Sequence, residues 1–224
     1  MTSSPIRITR TITIETEADI LRGVRSLRRK CPIMRKIYKA TGVPPLRRRE
    51  PGFAGLVRIV VGQQVSVASA NAIWARCVDG IQPMDAARVA SLTDDHLKAC
   101  GLSGPKVRTL RSISMAVLED GLELNDATAM PQDAFRAQLL GVSGVGPWTV
   151  DVFQMFCFGL PDTFASGDLA LQVATQHAFE LGARPSLDEL TALAEQWRPW
   201  RAVAARLLWA YYAVLKDGRS GIGI

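Results

Sequence analysis

Short connecting segments rich in glycine and proline, here called joints, recur along this 224-residue chain. They limit each uninterrupted segment between them to the length of a short helix or strand. Between the joints, apolar residues mostly recur every three or four positions, as Ile20, Val24 and Leu27 do, which is typical of one buried face of a helix. The pattern therefore predicts an all-α fold. The joints are Gly42–Pro45, Pro51–Gly52, Gly80–Pro83, Gly101–Pro105, Gly141–Gly146 and Gly159–Pro161.

The helical pattern begins at Glu15, and a long helical segment from Phe53 to about Cys77 carries a second apolar face. Ahead of both, Ile6–Ile14 alternates apolar and polar residues with a period of two, which predicts a short strand or an extended arm. This is the one clear β signal in the sequence. Further helices are predicted at about residues 85–91, 94–100, 105–119, 132–140, 147–158, 168–181, 187–196 and 200–215.

We expect two closely packed helical lobes, with residues 35–124 in the first and 125–224 in the second. Residues 1–34 form a basic arm and the first helix. Hydrophobic residues make up 48% of the chain, so it is long enough to bury a sizeable core. The apolar runs are far shorter than the roughly 20 residues that cross a bilayer, so no membrane contact is expected. Residues 1–10 show no secretory signal, which predicts a cytoplasmic protein.

The cysteines are scattered and form no CxxC pair. This spacing argues against a disulfide framework and against a zinc or iron–sulfur site built from closely spaced ligands, so we expect no metal site of that kind. The four residues are Cys31, Cys77, Cys100 and Cys157.

The net charge of +6 is a mild indication of an anionic partner, but its distribution along the chain is uneven. The first 50 residues hold 13 of the 27 lysines and arginines and only 4 of the 21 acidic residues. Nucleic acid is the leading class of partner for such a segment. A solvated arginine-rich face without a ligand is the alternative.

The segment Leu139–Thr149 joins two predicted helices through a turn that contains Gly141, Gly144 and Gly146. Glycine tolerates a positive φ and lets another backbone approach closely. The first amides of the following helix have no intrahelical acceptor and carry the positive end of the helix dipole. The turn therefore predicts a phosphate-binding site, and a tight helix–helix turn with a glycine C-cap is the alternative.

A second loop, Gly159–Gly167, follows this turn and leads to Asp168, which lies 22 residues after Gly146. The turn, the loop and the aspartate together resemble the helix-hairpin-helix motif of the DNA glycosylase superfamily. Asp168 also begins a predicted helix, where aspartate is a common N-cap. The resemblance implies that Asp168 is the essential acidic residue, which stabilises the oxocarbenium-like sugar and orients or deprotonates the attacking water.

Trp148 occupies the position at which strand-cutting members of this superfamily carry a nucleophilic lysine. No lysine lies between Lys106 and Lys216, so an amine nucleophile is not expected in this lobe. The resemblance then implies a monofunctional glycosylase: water attacks, the base leaves and the abasic strand stays intact, with no lyase activity. The four-cysteine loop that binds an iron–sulfur cluster in some relatives is also missing here.

Trp148 is similar to the tryptophan that lines the base pocket of the 3-methyladenine DNA glycosylase II family. The stretch Gln196–Arg201, followed by Leu207–Trp209, resembles the C-terminal pattern of that family and places Trp209 as the second pocket tryptophan. Electron-rich rings favour a cationic alkylpurine over its neutral parent. Val152 stands where some relatives carry an aromatic residue, which implies a roomier pocket. The neighbouring tryptophans, Trp197 and Trp200, are interpreted as core residues.

Two further blocks match the DNA-contacting elements of that family. The first is Gly62–Ala70, in which Gln64 is the candidate to enter the base stack, while helix capping and interhelical contacts are the alternative for Gln63 and Gln64. The second is the turn Gly101–Lys106. The residues that the resemblance assigns to DNA binding are Gln63, Gln64, Ser66, Lys106, Ser143, Gly144, Val145, Gly146 and Thr149.

The resemblance implies a two-lobed helical protein with a cleft between its lobes for duplex DNA and a flipped base, since a stacked nucleotide is closed to chemistry at C1′. Its expected reaction is the hydrolytic release of alkylated purines, chiefly 3-methyladenine and also 7-methylguanine and related adducts. The alternatives are a glycosylase for oxidised or deaminated bases and a noncatalytic binder of DNA structure. No cofactor is required, although superfamily members often hold a monovalent cation through the carbonyls of the hairpin. A monomer is expected.

Overall fold

The computed structural model describes residues 13–126 and 128–220, and every regular element in this part of the chain is helical. The prediction of an all-α fold is therefore confirmed. The helices are α1 Glu17–Lys30, α2 Pro32–Thr41, α3 Phe53–Gly62, α4 Val67–Gly80, α5 Ala86–Ser91, α6 Asp94–Ala99, α7 Gly104–Leu118, α8 Gln132–Leu140, α9 Pro147–Phe156, α10 Leu169–Ala178, α11 Leu187–Ala194 and α12 Arg201–Ser220, with a 3₁₀ turn at Glu195–Trp197.

The prediction of one long helix from Phe53 to about Cys77 is wrong, because the chain breaks between α3 and α4. Gln64 adopts a left-handed conformation with a φ of 55°, which a continuous right-handed helix does not allow. Ser66 then caps α4, since its side chain accepts a hydrogen bond from the Ser69 amide. The break creates an exposed turn at the end of a buried helix.

The predicted strand or arm Ile6–Ile14 lies outside the described residues, apart from its last two positions. Ile14 is fully buried, and its amide donates to the carbonyl of Gly159 over 2.7 Å. The start of the described chain is thereby fixed against the loop that precedes Asp168. Helix α2 was not among the predicted helices, and its buried residues are Met34 and Ile37.

Helix α12 packs against α1, α2 and α10. The approach of α1 depends on Gly23: a Cβ at this position would lie 2.6 Å from Cγ2 of Val203. The predicted domain boundary at residue 35 falls inside α2, which packs on α1 and α12. Helices from both halves of the chain therefore pack together around α12.

Helix α3 joins the two halves of the chain, because it packs against α4 and α7 and also against α9. Seven of its ten residues are buried. A helix with so much buried apolar surface holds its C-terminal end, and the turn that follows, in a fixed position relative to α9.

The two tryptophans before α12 belong to the core, as interpreted from the sequence. Trp197 is fully buried and packs against Phe164 with ring centroids 5.5 Å apart, and Trp200 is 8% exposed. Within the described ranges, no helix is both long and apolar enough to cross a membrane.

Candidate active site

Asp168 is the N-cap of α10, as predicted, and three donors hold its carboxylate. Its Oδ1 accepts a hydrogen bond from the Leu171 amide over 3.0 Å and another from Nε1 of Trp209 over 3.1 Å. Its Oδ2 accepts from Nε1 of Trp148 over 2.8 Å. Since an indole N–H can only donate, both tryptophans present the side of the ring that a carboxylate binds. The side chain of Asp168 is therefore fixed by groups from three helices.

Asp168, Trp148 and Trp209 line a cavity of about 400 Å³, a size typical of sites for small molecules. Trp209 stacks on Phe156 with ring centroids 5.7 Å apart and an interplanar angle of 30°. Val152 also lines the cavity and is 5% exposed. The predicted pocket residues Trp148, Trp209 and Val152 are thus brought together beside Asp168.

The predicted hairpin lies between the end of α8 and Pro147, the first residue of α9. Gly144 has a φ of +85°, and a Cβ at this position would overlap with Oγ1 of Thr109. Within the described chain, no hydrogen bond is formed by the amides of Ser143, Gly144 and Gly146. These amides are donors that a phosphate can occupy.

Two residues predicted to contact DNA have a different role at the hairpin. Thr149 is 2% exposed, and its hydroxyl accepts a hydrogen bond from Nε2 of Gln63 over 2.8 Å. Val145 is 5% exposed, and its amide donates to Val142. Both side chains are buried, and the contact of Thr149 and Val145 with DNA stays a prediction. Gln63 joins α3 to α9, as the alternative interpretation had it.

Lys106 also has an internal partner, because its Nζ donates to the carbonyl of Val61 over 2.7 Å. Burial lowers the pKa of Lys106, and the nearby Cys77 acts in the opposite direction. Its contact with DNA stays a prediction. Gln64 and Ser66, in contrast, lie in the exposed turn between α3 and α4.

Sequence reasoning missed three arginines that line the same cavity: Arg47, Arg49 and Arg58. Arg47 and Arg49 belong to the run of arginines ahead of α3, which was counted as part of the basic segment but was not assigned to the site, and Arg58 lies within α3. Arg49 is half-buried, and its Cζ lies 5.8 Å from the centre of the Phe156 ring. Arg58 lies over Trp74, with its Cζ 5.6 Å from the ring centre. The signal in the sequence was only that this run immediately precedes the helix that leads to Gln63.

A fourth arginine, Arg206, contacts Phe156, an aromatic residue that lines the cavity. Arg206 is 3% exposed, and its Cζ lies 4.6 Å from the centre of the Phe156 ring. Its guanidinium donates to the carbonyls of Leu46, Ala202 and Met155. Burial lowers the pKa of Arg206 to about 9, with smaller contributions from Arg48 and Arg47, so this side chain is positively charged at neutral pH.

The arginines also act on one another. Burial is the main reason that the pKa of Arg49 is lowered, and the positive charges of Arg58 and Arg47 lower it further, against an opposing effect of Cys157. Asp168 is the only carboxylate among the described residues that line the cavity. Across the described ranges, no group of three or more histidines, cysteines and acidic residues is arranged to hold a metal ion.

Comparison with known proteins identifies the architecture that carries this site. Residues 57–199 match the family model described as the HhH-GPD superfamily base excision DNA repair protein. The match covers α4 to α11 together with the hairpin and Asp168. The predicted resemblance is therefore confirmed at the level of the superfamily.

The curated relatives are similar over the same region. A putative DNA-3-methyladenine glycosylase of Bacillus subtilis, YfjP, is 26% identical over 162 residues, which is 69% of this chain and 56% of that protein. A probable bifunctional transcriptional activator/DNA repair enzyme, AlkA, of Mycobacterium tuberculosis is 34% identical over 163 residues, which is 68% of this chain and 32% of that protein. The matched region therefore spans 56% of the length of the first of these relatives and 32% of the second.

A solved structure extends the comparison to the fold. The 3-methyladenine DNA glycosylase Mag1 of Schizosaccharomyces pombe, in complex with abasic DNA, matches with a TM-score of 0.77 and 24% identity, over 84% of this chain and 95% of that one. The helices and the hairpin thus have the arrangement of that enzyme. Since the family model covers well over half of the residues, the chain belongs to the HhH-GPD superfamily of base excision DNA repair proteins.

Proposed function

We propose that this protein is a DNA glycosylase that hydrolyses the N-glycosidic bond of alkylated purines in duplex DNA, with 3-methyladenine as the first substrate. The observation that carries the proposal is the carboxylate of Asp168, which three donors hold at the wall of a cavity lined by aromatic rings. Relatives named for the release of 3-methyladenine support it.

The free amides of Ser143, Gly144 and Gly146 suit one phosphate of the damaged strand, which anchors the backbone beside the lesion. Gln64, exposed at the turn between α3 and α4, suits the space that the flipped base leaves in the stack. The base then enters the cavity next to Trp148 and Trp209. The hairpin amides and Gln64 both lie in turns that are held by buried helices.

Asp168 acts on the sugar. As the bond between C1′ and the base breaks, positive charge develops at C1′ and the ring oxygen, and a fixed carboxylate stabilises it. The electron pair of the bond leaves with the base, and a water oxygen bonds to C1′ and releases its proton. A cationic alkylpurine leaves as a neutral molecule, so it needs no general acid.

We propose further that the enzyme is monofunctional. Trp148 replaces the lysine nucleophile of the strand-cutting enzymes, and its indole N–H is hydrogen-bonded to Asp168. Borohydride is therefore expected to trap no covalent adduct between enzyme and DNA. Efficient trapping would show that another residue attacks C1′.

The proposed partner is double-stranded DNA with a damaged base, and the proposed working form is a cytoplasmic monomer. No cofactor enters the reaction. A structural monovalent cation at the hairpin carbonyls stays a prediction of the resemblance.

Release of free bases from methylated duplex DNA tests the proposed function. Mass analysis is expected to find 3-methyladenine in the supernatant, and the abasic strand is expected to break only after alkali. No release from methylated, deaminated or oxidised duplexes, together with retained DNA binding, would contradict the proposal and favour a noncatalytic binder. Release of an oxidised base alone would assign the enzyme to another lesion.

A further inference from the structure

A second concentration of positive charge lies on the first two helices. These helices form an open depression of about 550 Å³, and among the described residues its lining consists of five arginines. None of the five lines the cavity beside Asp168. We call this surface the α1–α2 patch, and its residues are Arg22, Arg25, Arg28, Arg29 and Arg35.

The amphipathic pattern of α1 places its arginines in a row. The buried residues of α1 fall on one face, and the helix packs against α2 and α12. Arg22, Arg25 and Arg29 follow one another at intervals of three and four residues, so they share the opposite, exposed face. With a rise of about 1.5 Å per residue, the row is about 10 Å long. One strand of duplex DNA presents roughly three phosphates over that length.

Few acidic groups balance the charge of the patch. No aspartate or glutamate occurs in the sequence between Asp19 and Glu50. Asp19 pairs with Arg22 and is 7% exposed. Glu195, on the 3₁₀ turn that packs against α1, is held by two arginines outside the patch. Within the described chain, only one of the five arginines therefore has an ion-pair partner.

Most guanidinium donors of the patch have no acceptor among the described residues. Arg25 and Arg29 are exposed and form no hydrogen bond there. Arg28 lies over the ring of Tyr38, with its Cζ 4.2 Å from the ring centre, and its buried Nε has no hydrogen-bond partner in the described part of the chain. Arg35 donates to the carbonyl of Arg28 over 3.1 Å, which joins α2 to α1. The patch thus presents free donors on two helices that are fixed to each other.

Helix α12 separates the patch from the active site. A Cβ on Gly23 of α1 would lie 2.6 Å from Cγ2 of Val203, so α1 lies directly against this part of α12. Trp209, which donates to Asp168, lies six residues further along α12. Six residues are about one and two-thirds turns, so Val203 and Trp209 lie on different faces of the helix. The patch and the cavity therefore open on different sides of α12.

The composition of the patch favours nucleic acid over protein as its partner. Protein interfaces have an apolar core with aromatic anchors, which the described lining of the patch lacks. Protein–DNA interfaces are polar and strongly positive, and at least half of their hydrogen bonds go to phosphate and sugar. The planar fork of arginine binds phosphate in a bidentate way. A row of such forks suits a phosphate backbone.

We propose that the α1–α2 patch is a second DNA-binding surface, which binds the phosphate backbone of a duplex segment separate from the one at the active site. This inference goes beyond the proposed function, because the second segment carries no lesion and releases no base. Contacts to phosphate do not read the base sequence, so the second segment is bound wherever it is met. A protein that holds two segments at once can transfer between them without full dissociation.

Capture of a second duplex tests the proposal. A duplex with a tetrahydrofuran abasic analogue is anchored sparsely on a surface, wild-type protein is bound to it, and a labelled undamaged duplex is then passed over the complex. The wild type is expected to capture the labelled duplex with a Kd of about 1–100 μM at physiological salt, which is the range of non-specific binding. Native mass measurement is expected to find one protein with two duplexes.

The double variant Arg25→Gln, Arg29→Gln removes two exposed charges of the row. Its capture of the second duplex is expected to fall roughly 10- to 100-fold near 0.1 M salt. The slope of log K against log salt concentration is expected to shrink by about 1.8, because each lost phosphate contact removes about 0.9.

The matched control is the double variant Lys39→Gln, Arg184→Gln, which removes the same net charge from exposed positions outside the patch lining. It is expected to capture the second duplex as the wild type does. Both double variants are expected to bind the anchored duplex equally well. Equal melting temperatures will exclude a folding defect.

Five results would overturn the inference. No capture by the wild type would make the patch a solvated face, and equal losses in both double variants would assign the effect to net charge alone. Equal loss of both duplexes in the Arg25, Arg29 variant would make the patch part of the active-site footprint. Complexes of two proteins with two duplexes would indicate self-association. Stronger displacement of the labelled duplex by polyglutamate than by unlabelled duplex of equal charge would favour an acidic protein.

Base release from a methylated duplex is measured in parallel. Release without capture would refute this inference and leave the proposed function standing. Capture without release from any damaged duplex would refute the proposed function and leave the second surface standing.

Discussion

The two walls of the cavity differ in how their polar groups are satisfied. On one wall, the carboxylate of Asp168 accepts hydrogen bonds from Trp148, Trp209 and the Leu171 amide. The other wall is lined by Arg47, Arg49 and Arg58, whose guanidiniums find no acceptor in the described chain. The carboxylate of the first wall has its hydrogen-bond partners without a ligand, whereas the guanidiniums of the second wall have none among the described residues.

This difference suggests a catalytic role for the carboxylate wall and a ligand-binding role for the arginine wall. A group that acts on a transition state must already be in place, because reorganising it during the reaction would raise the barrier. A group that reads a ligand must keep its donors free until the ligand arrives. Substitutions on the two walls are therefore expected to differ in kind: those on the carboxylate wall should change the rate of base release, and those on the arginine wall should change DNA binding.

The largest effect is expected from Asp168→Asn on the carboxylate wall. The amide oxygen can still cap α10, but the negative charge is lost, so base release should fall by at least roughly 10²–10³-fold while DNA binding is retained. Single-turnover release and a binding titration measure the two quantities. Asp133→Asn, an exposed position in α8, is the control. Near wild-type release would remove Asp168 from the mechanism.

A smaller loss is expected from Trp148→Phe and from Trp209→Phe. Each keeps an aromatic face but removes one N–H that donates to the carboxylate, a hydrogen bond to a charged group worth about 1.5–3 kcal/mol. The rate of 3-methyladenine release should fall roughly 10- to 100-fold in each variant. If both variants keep the wild-type rate, the Leu171 cap alone orients Asp168 and the contrast between the walls is weaker than proposed.

On the arginine wall, Arg58→Gln is expected to weaken DNA binding rather than catalysis. Removing one phosphate contact should reduce the slope of log K against log salt concentration by about 0.9, with the single-turnover rate at saturation unchanged. Binding titrations at several salt concentrations measure this slope. The control is Arg184→Gln, at an exposed position in the loop between α10 and α11, which should leave the slope unchanged. An equal change in both variants would mean that Arg58 acts through net charge alone.

The smallest effect is expected on stability. The pKa of Arg49 is lowered by its burial and by the charges of Arg58 and Arg47, so the folded protein bears some repulsion there at neutral pH. The double variant Arg49→Gln, Arg58→Gln should raise the free energy of unfolding, by less than about 1 kcal/mol because solvent screens exposed charges. Denaturant unfolding at low and high salt measures it. A clear loss of stability would show that the arginine wall supports the fold.

Much of the fold was predictable because the helices are short and separated by glycine and proline. The predicted helix at 132–140 and the observed α8 coincide, and most of the others differ by only a few residues at their ends. The break at Gln63–Ser66 was missed since the residues around it contain no proline and continue a helical pattern. Its cause is the left-handed conformation of Gln64, which the residue type does not reveal.

The candidate site was predictable where its residues lie close together in sequence. Trp148 and Asp168 flank one helix and one loop, so their meeting follows from local connectivity. The hydrogen bond from Trp209 was not predictable, because it depends on how α12 packs against α10. Thr149 and Val145 were assigned to DNA from the motif, but burial removes them from the surface.

The sequence by itself determined the helical class, the hairpin, the position of Asp168 as a helix cap and the absence of a lysine at position 148, because each depends on residue type and short-range spacing. The tertiary structure alone decided that two indole N–H groups meet one carboxylate and that the arginines ahead of α3 face the same cavity. The physical reason is that the side chains of Arg49 and Trp209 come from opposite ends of the chain. Their meeting depends on the packing of α3, α9, α10 and α12 into one core, which no local pattern encodes.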